Sequence, residues 1–223
     1  MQKLMFAVIA CAMVLSGCSS EDDCATNPEP AGDVTEIKLS AGIQGVATRS
    51  PVSTNDNITA PFVASATTGD YTTNAWSSTV TFVASPTPTA ALSFSPARYY
   101  PMDNSPIYIR GYYPAGTLSG KTVTLAGDGT EDVMLTAQAS GTKATAGALS
   151  FVFTHLLTQL QFKLVAGAGY PASGVNVTSL VIKQQKTPAT LDLNTSSLTY
   201  TTKNLTLSGT FPILTAGSTI NNY

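Results

Sequence analysis

The sequence predicts an all-β protein, a β-sandwich built from many short strands. Three observations carry that expectation. Short runs of β-branched and aromatic residues recur between Gly-, Pro-, Ser- and Asn-rich turns along most of the 223 residues, the spacing of sandwiches and barrels. No run of ten or more residues has the 3.6-residue apolar period of an amphipathic helix. The most apolar internal stretch, Leu149 to Val165, alternates: Leu149, Phe151 and Phe153 share one parity, while Leu160, Phe162 and Leu164 share the other. One strand cannot bury both sets on one face, so a bulge or a short helical turn is expected across His155 to Gln159.

Ahead of the strands, residues 1–17 read as a lipoprotein signal peptide. Lys3 supplies the positive start, and the apolar run Leu4 to Leu15 is shorter than the ~20 residues a spanning helix needs. Small Ser16 and Gly17 admit a peptidase, and the Cys18 thiol is the expected lipidation site. Each buried CH₂ of a lipid chain contributes roughly 0.8 kcal/mol, and stable anchoring takes more than one chain. Bacterial lipoproteins resemble that case, with a diacylglyceryl thioether plus an N-acyl group. Ser19-Ser20-Glu21-Asp22-Asp23 resembles the acidic signal that sends some lipoproteins to the outer face of the outer membrane. Residues 18–33 are therefore expected to form an acidic flexible tether.

The first strand is expected over Val34 to Ser40, where Ile37 and Leu39 alternate with Glu36, Lys38 and Ser40. Gly42 to Pro51 reads as an open stretch ending in an exposed Arg49. Further strands are expected at Val80 to Val83, Leu92 to Phe94, Ile107 to Tyr113, Val123 to Leu125 and Asp132 to Leu135. After the Gly167-Ala168-Gly169 break come Val177 to Lys183, Ala189 to Leu193, Ser197 to Thr201 and Leu205 to Leu207. The break places a domain boundary near 167–175, with a larger N-terminal domain over 34–170 and the start of a second over 171–223.

Composition narrows the chemistry. Charged residues make up 11% of the chain, against ~25% in an ordinary globular domain. The net charge of −2 leaves no footprint for nucleic acid. Cys11 leaves with the leader and Cys18 is lipidated, so Cys24 has no partner for an intramolecular disulfide. His155 is the single histidine and sits among Phe153, Leu156 and Leu157, the setting of a core or interface histidine rather than a catalytic one. No clustered Cys and His ligands, phosphate loop or dinucleotide fingerprint is present. Asp128 and Asp132 flank a Gly turn, too few acids for a calcium cage. No catalytic residue, metal site or cofactor is therefore expected. Tyr99, Tyr100, Tyr108, Tyr112 and Tyr113 are ordinary strand residues or a carbohydrate-stacking platform. With Trp76 in a polar loop they keep a glycan-binding reading open.

Four features give the chain a family resemblance: the lipobox Leu15 to Cys18; the early strand followed by Ala47-Thr48-Arg49-Ser50; Tyr99-Tyr100-Pro101-Met102-Asp103 followed by Ile107 to Pro114; and Asp132 to Leu135 followed by Phe151 to Phe162. In this order and spacing they resemble the fimbrillins, the subunits of type V pili, over roughly 34–185. The resemblance implies a transthyretin-like β-sandwich pilin without enzymatic activity, exported as an outer-membrane lipoprotein at the cell surface. It implies cutting by an Arg-specific protease at Arg49, which removes the lipid and the first strand with its plugs Ile37 and Leu39. Another pilin subunit then inserts a donor strand into the vacated groove, and the finished pilus meets a host or bacterial surface ligand. Thr210 to Tyr223 has too few alternating apolar residues to serve as a donor. That leaves a truncated product, a shortened accessory subunit and a tip or permanently lipid-anchored subunit all open.

Overall fold

The computed structural model describes residues 34–45, 52, 55–164, 169, 176–212 and 218–221. Among them it holds fourteen strands: β1 (Lys38–Ile43), β2 (Asn57–Ser65), β3 (Trp76–Val83), β4 (Thr89–Ser93), β5 (Ile107–Tyr113), β6 (Thr117–Ser119), β7 (Thr122–Thr124), β8 (Met134–Thr136), β9 (Ala139–Gly141), β10 (Leu149–His155), β11 (Gln161–Leu164), β12 (Asn176–Asp192), β13 (Ser197–Pro212) and β14 (Ser218–Asn221). No helix occurs among the described residues, so the all-β expectation holds.

Eight strands form one sheet in the order β3-β2-β5-β8-β10-β1-β4, with β9 also on β5. Its two ends meet: Thr79 and Ser95 exchange backbone hydrogen bonds of 3.2 and 2.9 Å, so the sheet curls round on itself. The first core fills the inside. Phe62 lies at its centre, edge-on to Phe94, Phe151 and Phe153 at centroid distances of 5.5, 5.0 and 5.8 Å. Gly111, opposite Phe62 on β5, has no side chain because a Cβ there would lie 2.6 Å from the Phe62 ring and 2.9 Å from that of Phe153.

A second core lies on the other side of β2, β5 and β8. Alternation sends Ala60, Phe62 and Ala64 to the first core and Val63 to the second. It likewise divides Ile109 from Tyr112 and Met134 from Leu135. The sheet β13-β12-β7-β6 covers this face, contributing Val123 and Leu191, with Leu193 just beyond the end of β12. Residues 191–193 thus share a core with residues from 63 to 135, on both sides of the 170/171 position. All described strands fall in one compact unit, Asp33–Tyr223.

Several strand limits differ from the sequence expectation. β10 ends at His155 with neither the expected bulge nor a helical turn. Leu156 N donates to Val133 O at 2.8 Å, Leu156 and Leu157 pack on the second core, and a separate β11 starts at Gln161 and pairs with β14. The two strands expected over 177–193 are one, β12, and those over 197–207 are one, β13, with register shifts where the alternation lapses. β2 is absent from the strands expected above, and Pro61 interrupts its apolar run. The structure shows how Pro61 fits. Its partner Thr79 spends its own N–H and C=O on Ser95, so that pair asks nothing of Pro61's nitrogen, and the β5 ladder begins one residue later at Phe62.

Candidate strand-exchange groove

β1 lies inside the sheet rather than at an edge. It runs parallel to β10 from Leu39↔Leu149 to Ile43↔Phe153 and antiparallel to β4 from Lys38↔Ser93 to Ala41↔Thr89. Ile37 N donates to Arg98 O and Gln44 N to Phe153 O, both at 2.8 Å, extending the hold past the strand ends. Ile37, Leu39, Ala41 and Ile43 are all 0% exposed and point into the first core. The strand begins and ends later than Val34 to Ser40: the small pair Ala41-Gly42 reads as a stop in sequence but continues the strand, carrying Ile43 into the core. The alternation Ile37, Leu39, Ala41, Ile43 is the signal that identifies these additional residues.

The two walls differ. The β10 side is a regular ladder over five pairs. The β4 side shifts register between Leu39 and Ala41, and Ala91 there has φ of +61°, a conformation unfavourable to a residue with a Cβ. Beyond that bulge the segment Ser85–Pro88 closes over the strand: Ile43 N donates to Ser85 O at 2.9 Å. A Cβ on Gly42 would lie 3.0 Å from Pro88 Cα, Pro88 N and Ser85 O.

Electrostatics play a small part at this site. Lys38 Nζ pairs with Glu36 Oε2 at 2.6 Å and donates to Ser93 Oγ at 2.8 Å on the outer face. The hydrogen bond from Lys38 is the main cause that lowers the Glu36 carboxyl below its ordinary range. An exposed pair of this kind contributes roughly 0–1 kcal/mol. Burying Ile37, Leu39 and Ile43 contributes about 1.5–3 kcal/mol each, so apolar contact and the backbone ladders hold the strand.

The remaining sequence candidates are placed as follows. Cys18 and Arg49 lie outside the described residues. His155 Nδ1 stands 2.8 Å from Asp132 Oδ1, and its Nε2 is buried with no hydrogen-bond partner, so no hydroxyl is in line on the far side of the ring. Asp128 Oδ1 instead accepts from Thr130 N and Oγ1, so the two acids of the Gly turn have different partners. No group of three or more His, Cys, Asp or Glu able to hold a metal occurs among the described residues. The tyrosines are not gathered on one surface: Tyr100 is buried in the first core, Tyr112 in the second, and Tyr113 packs against the first. Trp76 begins β3 rather than lying in a loop. Its ring meets Phe94 edge-on at 5.2 Å and carries the Arg98 guanidinium 5.3 Å from its centroid.

The fimbrillin-like family model matches this chain over residues 46–221. No curated protein matches it in sequence. A crystal structure from Bacteroides uniformis ATCC 8492, described as that of a candidate cell adhesion protein, has a similar fold. It aligns with a TM-score of 0.59 and 20% identity over 87% of this chain and 75% of the other.

Proposed function

Because this chain belongs to the fimbrillin-like family, we propose that it is a non-enzymatic structural or adhesive subunit of a bacterial cell-surface pilus, assembled by exchange of β1. It is exported as a lipoprotein held to the outer membrane through Cys18. An Arg-specific protease cuts at Arg49, which frees β1 together with the lipid, and a strand of another pilin subunit takes its place. The observation that carries this reading is the position of β1: an interior strand whose inward side chains are all fully buried, followed six residues later by Arg49.

The energetics favour coupling of the steps. The three large side chains of β1 account for roughly 5–9 kcal/mol of burial, comparable with the whole ~5–15 kcal/mol by which a domain is stable. An open groove would also leave two unpaired strand edges, an aggregation hazard. The incoming strand must arrive as the old one departs, with backbone hydrogen bonds for affinity and alternate side chains for register. The B. uniformis protein of similar fold, described in connection with cell adhesion, is consistent with this reading.

The test is limited digestion of the purified chain with an Arg-specific protease, followed by intact mass measurement. Cleavage after Arg49, with oligomers appearing afterwards, is expected. Resistance at Arg49 under conditions that cut a known fimbrillin contradicts processing there and leaves a permanently lipid-anchored subunit.

A further inference from the structure

Resting on the strand-exchange reading above, we infer that the groove selects its incoming strand by a five-point pattern: large apolar residues at the positions of Ile37 and Leu39, a small residue at Ala41, glycine at Gly42 and an apolar residue at Ile43. The strand enters in the direction of β1, parallel to β10.

The pattern follows from what surrounds each position. Ile37 and Leu39 fill closed apolar space at 0% exposure, so a polar or much smaller residue leaves a cavity. Ala41, also at 0%, lies between Phe151 on β10 and Thr89 on β4, where added methylenes overpack the core. Gly42 faces the other way. The atoms a side chain there would meet, Pro88 Cα and N and Ser85 O, are backbone and cannot swing aside as a side chain can. The β4 bulge between Leu39 and Ala41 fixes where along the groove the small pair must fall. A one-residue slip would turn the large side chains to the outer face.

This makes the groove narrower in its choice than alternation alone. Within this chain one other stretch meets the pattern: Phe162-Lys163-Leu164-Val165-Ala166-Gly167-Ala168 sets large residues first and third, the Ala-Gly pair fifth and sixth, and an apolar residue seventh. It shares Lys, Leu, Ala and Gly in register with Ile37-Lys38-Leu39-Ser40-Ala41-Gly42-Ile43.

The experiment uses the full chain with a site-specific protease sequence inserted between residues 46 and 50, so that it does not depend on cutting at Arg49. After cutting, fluorescent peptides compete for the place of β1, and bound peptide is read by anisotropy and native mass spectrometry. The peptide Thr35–Gln44 is expected to enter. Its Gly42→Val and Ala41→Leu versions are each expected to bind about 10-fold or more weakly. A peptide of residues 161–169 is expected to enter in preference to a shuffled version of itself. Equal binding of Thr35–Gln44 and its Gly42→Val or Ala41→Leu version overturns the pattern while leaving strand exchange intact. Failure of the 161–169 peptide where Thr35–Gln44 enters overturns the pattern as written. Failure of every peptide overturns strand exchange itself. In the uncut chain, Gly42→Val is expected to lower the melting temperature while Ser40→Val does not, and equal melting of the two contradicts the role of Gly42.

Discussion

The two cores of this protein are held by different kinds of interaction. The first, which contains β1, is held by aromatic packing and backbone ladders: three phenylalanines surround Phe62 at the centre, and the inward face of β1 carries only Ile, Leu and Ala. In the second, specific polar contacts fasten the β12–β13 hairpin. Arg110 donates from Nε to Thr136 O at 2.9 Å, from Nη1 to Leu193 O, and from Nη2 to Ser196 Oγ at 2.6 Å. Tyr71 N donates to Asn194 Oδ1 at 2.8 Å, and Lys121 pairs with Asp192 at 3.2 Å. Packing and ladder bonds can be reproduced by any strand of suitable pattern, whereas the Arg110 fork serves one hairpin turn. On the proposed exchange of β1, a strand held the first way would be the one replaced, and a hairpin held the second way would stay in place.

Substitutions at the two cores should separate these behaviours. The largest effect is expected from Phe62→Ala. It removes the ring shared by β2, β3's neighbour Phe94 and β10, and should cost about 3–5 kcal/mol in chemical denaturation. Arg110→Met keeps the apolar stem and leaves the Thr136 and Leu193 carbonyls unpaired, at a cost of about 2–3 kcal/mol. Hydrogen exchange should then rise in residues 190–198 and stay unchanged in β1. Equal loosening of both would erase the contrast.

A pH effect comes next. Burial pushes the Tyr71 and Tyr112 phenols up to about 12, and both lie in the second core. Their folded values exceed the ~10 of an unfolded chain. The stability tied to keeping them protonated is therefore complete below pH ~10 and is lost as pH rises towards 12, of order 2 kcal/mol per phenol. Tyr112→Phe should flatten the alkaline slope of stability, and an unchanged slope would assign it to other groups. The smallest effect is expected at the rim of β1. Lys38→Gln, which removes the ion pair with Glu36, should change stability by less than about 1 kcal/mol. A larger loss would mean that charge helps hold the strand.

The sequence made the fold class legible, and Ile37, Leu39 and the strand Ile107 to Tyr113 fall where alternation places them. Its failures have physical causes. Ala41 and Gly42 look like the end of a strand because their small size reflects neighbours more than forty residues away, Phe151 and Thr89 beside Ala41 and Pro88 and Ser85 against Gly42. β2 is hidden by Pro61, whose missing N–H is harmless only because Thr79 bonds elsewhere. The alternation change after Phe153 signals a departure from the sheet, and the destination of Leu156 and Leu157 depends on a second core assembled from distant segments. The tyrosine cluster is close in sequence but divided in space, since neighbouring strand residues such as Tyr112 and Tyr113 face opposite ways.

On the strand-exchange reading, β1 is replaceable while the rest of the fold persists. Hydrogen-exchange mass spectrometry tests it most directly, on full chain cut between residues 46 and 50 and incubated with excess isotope-labelled Thr35–Gln44 peptide. Labelled peptide should replace β1, β10 and β4 should keep their protection, and residues 187–201 of the hairpin should not change. Collapse of protection throughout β10, β4 and the hairpin, or retention of the original β1 with no exchange, would contradict it.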